Sequence, residues 1–303
     1  MTFWLHLAIA LVFASSVLPA AAQAQNRSGA MFADSDEDAK HLRPFRRPKV
    51  DRPLPDGLLA RGPRNVAAAW FSGPTDRYRH FALGAEHEAE ILVVSTADRK
   101  IFRLQLPADS VFEDREPRLA DVDGDGLDEV IVVRSYLKTG AALAIVAVRA
   151  DGLSIIAETP PIGAPFKWLN PAGVADFDGD GRPDIALVRM PHLVGELEIW
   201  TLDNGKLVRI ITENDVSNHA IGSHHFRLSA VADFDGDGIS DLAIPSFDRR
   251  SLRILSVRDR RVREIDRIAL PAIAAENFTV EMSSERPAVR VGLNGGRTLL
   301  ITP

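Results

Sequence analysis

The chain has no cysteine among its 303 residues. Disulfides, thiolate metal sites and cysteine nucleophiles are therefore excluded. Tyrosine is nearly absent, with only Tyr78 and Tyr136, and beyond residue 24 the tryptophans are Trp70, Trp168 and Trp200. Sugar-binding surfaces lean on such rings, so so few of them gives carbohydrate recognition little support. No Gly-x-Ser-x-Gly elbow, P-loop or His-Glu-x-x-His stretch occurs, which leaves out the best-marked hydrolase, nucleotide and zinc-protease chemistries. After residue 24 no run is long and apolar enough to cross a membrane as a helix. No segment longer than a turn repeats its apolar residues with a period of 3.6.

What is present is a nine-residue stretch in three copies: Asp121 to Glu129, Asp176 to Asp184 and Asp233 to Asp241. Each reads Asp-x-Asp-Gly-Asp-Gly-x-x-(Asp/Glu) and runs into an aliphatic segment: Val130-Ile131-Val132-Val133, Ile185-Ala186-Leu187-Val188 or Leu242-Ala243-Ile244. The three stretches hold 13 acidic side chains, and removing them from the net charge of −6 leaves +7. The acidity is thus gathered where a cation could sit.

Carboxylates at positions one, three and five of a tight turn face one concave side, and glycines at four and six permit the turn. The carbonyl of position seven (Leu127, Arg182, Ile239) and the acid of position nine (Glu129, Asp184, Asp241) can complete a cage. Such hard oxygens suit Ca²⁺ better than Mg²⁺, and no His or Cys within the loops invites zinc. In the first loop Asp128 is a second acid, and register favours Glu129. An EF-hand shares positions one, three and five but needs an acid at position twelve, where Val132, Leu187 and Ile244 stand. The expected ligands are Asp121, Asp123, Asp125, Leu127 and Glu129; Asp176, Asp178, Asp180, Arg182 and Asp184; and Asp233, Asp235, Asp237, Ile239 and Asp241, for up to three Ca²⁺ ions.

The loop spacings are 55 and 57 residues. Two decayed copies are expected beside them. One is Ala82 to Val94, which keeps Glu90 and the aliphatic exit; the other is Val280 to Val289, which shares an Arg-Pro pair with the loop at 176. Five units of about four short strands each predict an all-β chain, a β-propeller of five four-stranded blades over residues 64–303. The last unit is a strand short. Asn65–Phe71 is the spare strand expected to complete it, closing the ring with N- and C-terminal strands in one blade. His80–Leu83 is expected as a strand before the first decayed loop.

Residues 1–24 read as a secretory leader: Leu7 to Leu18 is apolar, and Ala22-Gln23-Ala24 offers a cleavage site, although no Lys or Arg precedes the apolar run. The expected location is secreted or periplasmic, and the alternative is an uncleaved anchor. Residues 25–63, rich in Pro, Arg and Asp, are expected to form an unstructured linker.

The repeat resembles the FG-GAP or VCBS-type family, which includes the propellers of integrin α-chains. The resemblance implies a propeller with Ca²⁺ in the hairpin loop between the first two strands of a blade. It assigns ligand roles to the residues at positions one, three, five and nine.

Beyond calcium, His219, His224 and His225 form a candidate cluster, and Arg249, Arg250, Arg253, Arg258, Arg260, Arg261, Arg263 and Arg267 a candidate basic face. The leading expectation is a non-catalytic, monomeric binding or scaffold module with structural calcium. Its partner would be a protein or polysaccharide, and an exported acidic chain is not expected to bind nucleic acid. The alternatives are a polysaccharide lyase or hydrolase on the same scaffold, and attachment to an anionic surface through the arginines.

Overall fold

A computed structural model describes residues 52–84, 86–282 and 286–303. The expected leader, and the linker as far as residue 51, lie outside these residues. The described chain is all β, with no helix, so none is long and apolar enough to cross a membrane.

Strands β1 (Val66–Thr75), β2 (Glu88–Thr96) and β3 (Ile101–Gln105) form one antiparallel run. β5 (Arg118–Ala120), β6 (Glu129–Tyr136), β7 (Gly140–Arg149) and β8 (Gly152–Glu158) form a second. The short β4 (Ser110–Phe112) pairs with both β2 and β6 and joins the two runs into one eight-stranded sheet. A four-stranded sheet follows: β9 (Leu169–Ala175), β10 (Asp184–Arg189), β11 (Glu196–Asp203) and β12 (Lys206–Glu213). Another comprises β13 (Ala230–Ala232), β14 (Asp241–Pro245), β15 (Ser251–Arg258) and β16 (Arg261–Ala269). Three strands end the chain: β17 (Ala274–Met282), β18 (Pro287–Leu293) and β19 (Arg297–Ile301).

Burial follows strand position. β6, β7 and β10 are buried almost throughout, because their faces are covered on both sides, and they read as continuous Val, Ile, Leu and Ala runs. The outer β12 and β16 alternate and carry Lys, Arg and Glu, which protects an edge from further pairing. Separate apolar cores join successive strand groups. Phe71, Leu92 and Phe112 pack with Val130 and Val146; Ile131 and Leu143 with Val174 and Leu187; Val188 and Ile199 with Leu242 and Val257; Ile254 with Phe278 and Val291. Among the described residues no core joins β17–β19 to β1–β3.

Four expectations about this N-terminal region are corrected. Asn65–Phe71 does not complete the last sheet: β1 pairs with β2 from Val66↔Thr96 to Thr75↔Glu88. Residues 52–63 are not a free linker. Isolated bridges Pro53↔Ser72 and Ala60↔Ala69 lay this segment along the open edge of β1, with Leu54 and Ala60 buried. The amide of Leu54 donates to the Phe71 carbonyl and that of Ala60 to the Ala69 carbonyl. The missing inner strand of the first unit is therefore supplied from its N-terminal side, by residues whose prolines hid their pairing.

The third correction concerns Ala82 to Val94. Asn65, which precedes β1, binds Asp128 in the first acidic loop. The β1–β2 connection lies at the opposite end, where Gly222 donates to the Ala82 carbonyl and Phe166 donates to the Tyr78 hydroxyl. β2 thus runs towards the acidic-loop end, whereas the exit strands β6, β10 and β14 run away from it. The resemblance at residue 82 is coincidental, and the segment matching the acidic loops by position is 61–65. His80–Leu83 is no strand but a turn, with Phe81 at φ 58°.

Candidate metal centres

Each acidic loop connects the first two strands of its group: β5 to β6, β9 to β10 and β13 to β14. Position two fixes the loop to the body. Val122, Phe177 and Phe234 are buried in the apolar cores while the acids of positions one, three and five stay at least partly exposed. Burying such a side chain is worth about 1.5–3 kcal/mol. The amide of the same residue donates to the acid of position nine, at 3.1, 3.1 and 2.8 Å for Glu129, Asp184 and Asp241. Anchor and acid are thereby held in one register.

Position one organises the turn. Asp121 accepts from the Gly124 and Gly126 amides, Asp176 from Gly179 and Gly181, and Asp233 from Gly236 and Gly238, all within 2.7–3.0 Å. These glycines sit at φ of 78–89°, where a side chain is strained. Position three accepts from position five, and position five from position seven, as in Asp123 with the Asp125 amide and Asp125 with the Leu127 amide.

The fold brings the acids of positions one, three and nine together. Asp121, Asp123 and Glu129; Asp176, Asp178 and Asp184; and Asp233, Asp235 and Asp241 each offer ligand oxygens within 4.8 Å of one another. Each cluster could hold a metal ion. The acids of position five stand apart from these triplets. Asp180 binds the Arg182 guanidinium at 2.7 Å, and Asp237 pairs with Arg258.

Electrostatics point the same way. Burial, then the neighbouring loop carboxylates, push Glu129 and Asp184 up to about 7. Burial, offset by the Phe234 amide and reinforced by Asp235, lifts Asp241 to about 6. These groups resist ionisation while alone, which an adjacent cation would reverse. Asp241 Oδ1 is moreover buried without a well-formed hydrogen bond, the Ser256 hydroxyl giving its carboxyl only slight support, a shortfall that a metal bond would remove. All-oxygen donors fit a hard cation. Asp128 is no part of the first cluster. It takes Arg64 Nη1 at 2.7 Å, and its backbone binds the Asn65 side chain at 2.7 and 3.1 Å.

A family described as "FG-GAP-like repeat" matches residues 121–187 and again 176–244. The chain carries FG-GAP-like repeats. The two matched FG-GAP segments share the second acidic loop and together take in all three. No curated protein matches the chain. Among solved structures it is similar to the exotype rhamnogalacturonan lyase YesX (14% identity, TM-score 0.42, covering 84% of this chain and 59% of that one). It is also similar to the rhamnogalacturonan lyase YesW (16% identity, TM-score 0.38, covering 68% and 44%). The chain thus spans less than two thirds of either neighbour.

The histidine cluster is not the one expected. His219 is buried and its Nδ1 lies 2.8 Å from Nε2 of His192, a residue the spacing of 219, 224 and 225 did not include; His224 is exposed. Trp168 flanks both rings, with centroids at 5.9 Å from His192 and 4.9 Å from His219. Burial holds His192 down to about 4 and His219 to about 3, so the pair is neutral at ordinary pH. Nearby, His80 Nδ1 lies 2.6 Å from the fully buried Glu113, which also accepts from Ser135.

The basic stretch is partly absorbed by the fold. Arg253 is buried and binds Glu264, Glu213 and two backbone carbonyls. Arg267 binds Glu264 and Asp215.

Proposed function

We propose that this chain is an exported five-bladed propeller that binds up to three Ca²⁺ ions and serves as a non-catalytic binding or scaffold module. The observation that carries the reading is the threefold acidic triplet, each with a buried position-nine acid tied to a core anchor. Calcium in this role is structural: it joins the loop's exposed acids to the buried one and holds the hairpin to its sheet. The acids of position five, which lie outside the triplets, would have to turn inward to join the ligand set.

The five-blade reading is supported by five successive strand groups and by apolar cores that link each to the next. It takes residues 52–60 as the inner strand of the first blade and leaves the last blade with three strands. Export rests on residues 1–24. Calorimetric titration with calcium, paired with melting in excess chelator, is the test. Three equivalents and a melting temperature restored by calcium are expected; no thermal response to chelation would sink the structural role.

One observation favours a catalytic second reading. The buried Glu113 orients His80 through Nδ1, as a carboxylate does for a general base, and Tyr78 lies near it, with ring centroids 6.1 Å apart. Under that reading a Glu113→Gln variant would lose all polysaccharide-cleaving activity while keeping its calcium-dependent melting.

A further inference from the structure

The end of the sheets opposite the acidic loops carries an unusual surface. Phe81, Phe166, Leu193, Val194, Ile221 and Phe247 are each 38–71% exposed. They lie on five different connections, between β1 and β2, β8 and β9, β10 and β11, β12 and β13, and β14 and β15. These connections touch. The Phe166 ring stacks on Tyr78 at 5.0 Å. The segments of Phe81 and Ile221 are joined by the bond from Gly222 to Ala82. Phe247 packs over Gly195 so closely that an added Cβ there would meet its ring at 2.3 Å. Isolated apolar residues at a surface need no explanation, but a set gathered at one end marks a contact face.

A cation stands within this set. Arg249 follows Phe247 by two residues, and its backbone is fixed by bonds to Ser246 and Ala274. Its side chain is partly buried, and Nη1 is sealed from solvent without a hydrogen-bond partner. It acts electrostatically on His192 and His219, which are neutral and give it no counter-charge. Asp248 does not serve it either, being engaged by Ser246 and the Arg250 amide. The remainder of the side chain is open to solvent, and a carboxylate docking on that open side would offset the charge of a cation otherwise left without an anion.

We infer that this face binds a protein segment in which apolar side chains flank a carboxylate, the carboxylate meeting Arg249 and the apolar side chains covering Phe247 and its neighbours. The inference deepens the binding-module reading and rests on it. A protein fits better than a glycan. The two rings best suited to stacking on sugars, Trp168 and Tyr78, are only 2% and 4% exposed, while half of the exposed set is aliphatic. Arginine set among apolar side chains is also a frequent centre of protein interfaces.

The test is selection from a random twelve-residue peptide display library on the calcium-loaded chain. Enriched peptides are expected to carry Asp or Glu between apolar residues. They should bind Arg249→Gln and Phe247→Ser at least tenfold more weakly and Arg249→Lys with an intermediate loss. Retention of the wild-type melting temperature and calcium response in each variant shows that the fold is intact. Failure to enrich any peptide, enrichment without an acid, or equal binding to Arg249→Gln overturns the inference. So does a concentration-dependent dimer, seen by sedimentation, that Phe247→Ser dissociates, since the face would then be covered by a second copy. A chain that selects acidic peptides but ignores chelator would refute the calcium role and leave this inference standing.

Discussion

If calcium fills the three acidic clusters as proposed, it should stabilise this protein far more at pH 7.5 than at pH 5. Glu129 and Asp184 titrate at about 7 in the metal-free fold and Asp241 at about 6, all above their unfolded values. Between about pH 4 and 7 the metal-free fold therefore holds protons that the unfolded chain has released. Its stability falls as pH rises through that window. Calcium binding requires these acids ionised, so at pH 5 the ion must displace a proton at each site. Two pH units below a titration point near 7 would weaken binding up to about a hundredfold per site. The loops are partly wetted, so we retain about tenfold, or about 1.4 kcal/mol per site. Three sites then give a loss of about 4 kcal/mol in calcium stabilisation at fixed calcium. At about 2–4 °C per kcal/mol this is a difference of about 8–16 °C in the calcium-induced melting shift. His192 and His219, buried and neutral, act in the opposite sense, gaining stability as pH rises. They do so with and without calcium, so they cancel in the difference. The assay is scanning calorimetry with calcium and with chelator at the two pH values. A calcium-induced shift equal at pH 5 and pH 7.5 would refute the reasoning.

Phe234→Ala should cost about 3–5 kcal/mol in urea unfolding and weaken metal binding at the third acidic cluster, because the anchor residue's amide also fixes Asp241. Gly238→Ala meets no atom within 4 Å and should cost only the backbone strain of φ 89°, about 1–2 kcal/mol. Gly84→Ala adds to φ 70° a Cβ 2.5 Å from the Gly222 carbonyl, so its melting temperature should drop further. Asn65→Ala removes both bonds to Asp128; it should cost about 1–3 kcal/mol and speed proteolytic cleavage within residues 52–65.

The acidic loops were legible because their chemistry is local. Six residues of turn, from Asp121 to Gly126, dictate their own hydrogen bonds, and the strand that follows must start where the loop ends. The same locality made the all-β reading and most strand positions accessible. What failed was long-range. Asn65–Phe71 looks like a strand with no home, because its partners are β2 on one side and the proline-broken residues 52–60 on the other. Nothing in the apolar pattern distinguishes that arrangement from pairing with β19. Ala82 to Val94 imitated a loop copy by composition, yet direction along the sheet is set by which end Asn65 and Gly222 occupy. The His192–His219 pair was hidden for the same reason, since 27 residues and two strands separate ring nitrogens 2.8 Å apart. Val122, Phe177 and Phe234 were in plain view. An apolar residue at position two of every copy is the signal that the loop has an inner as well as an outer side.

The apolar cores have a consequence for how the chain comes and goes as a whole. Each draws most of its residues from two consecutive strand groups, and the one between β5–β8 and β9–β12 also takes in Leu83 and Phe226 from the connections on either side. Three of the four contain no residue from β17–β19. Apolar burial therefore runs mostly between neighbours along the chain, while the bond from Gly222 to Ala82 and the pair of Arg227 with Glu116 tie distant connections together. A chain that emerges from its N-terminal end can bury most of the apolar surface of its first four strand groups without waiting for β17–β19. Unravelling from the C-terminal end would reverse that order.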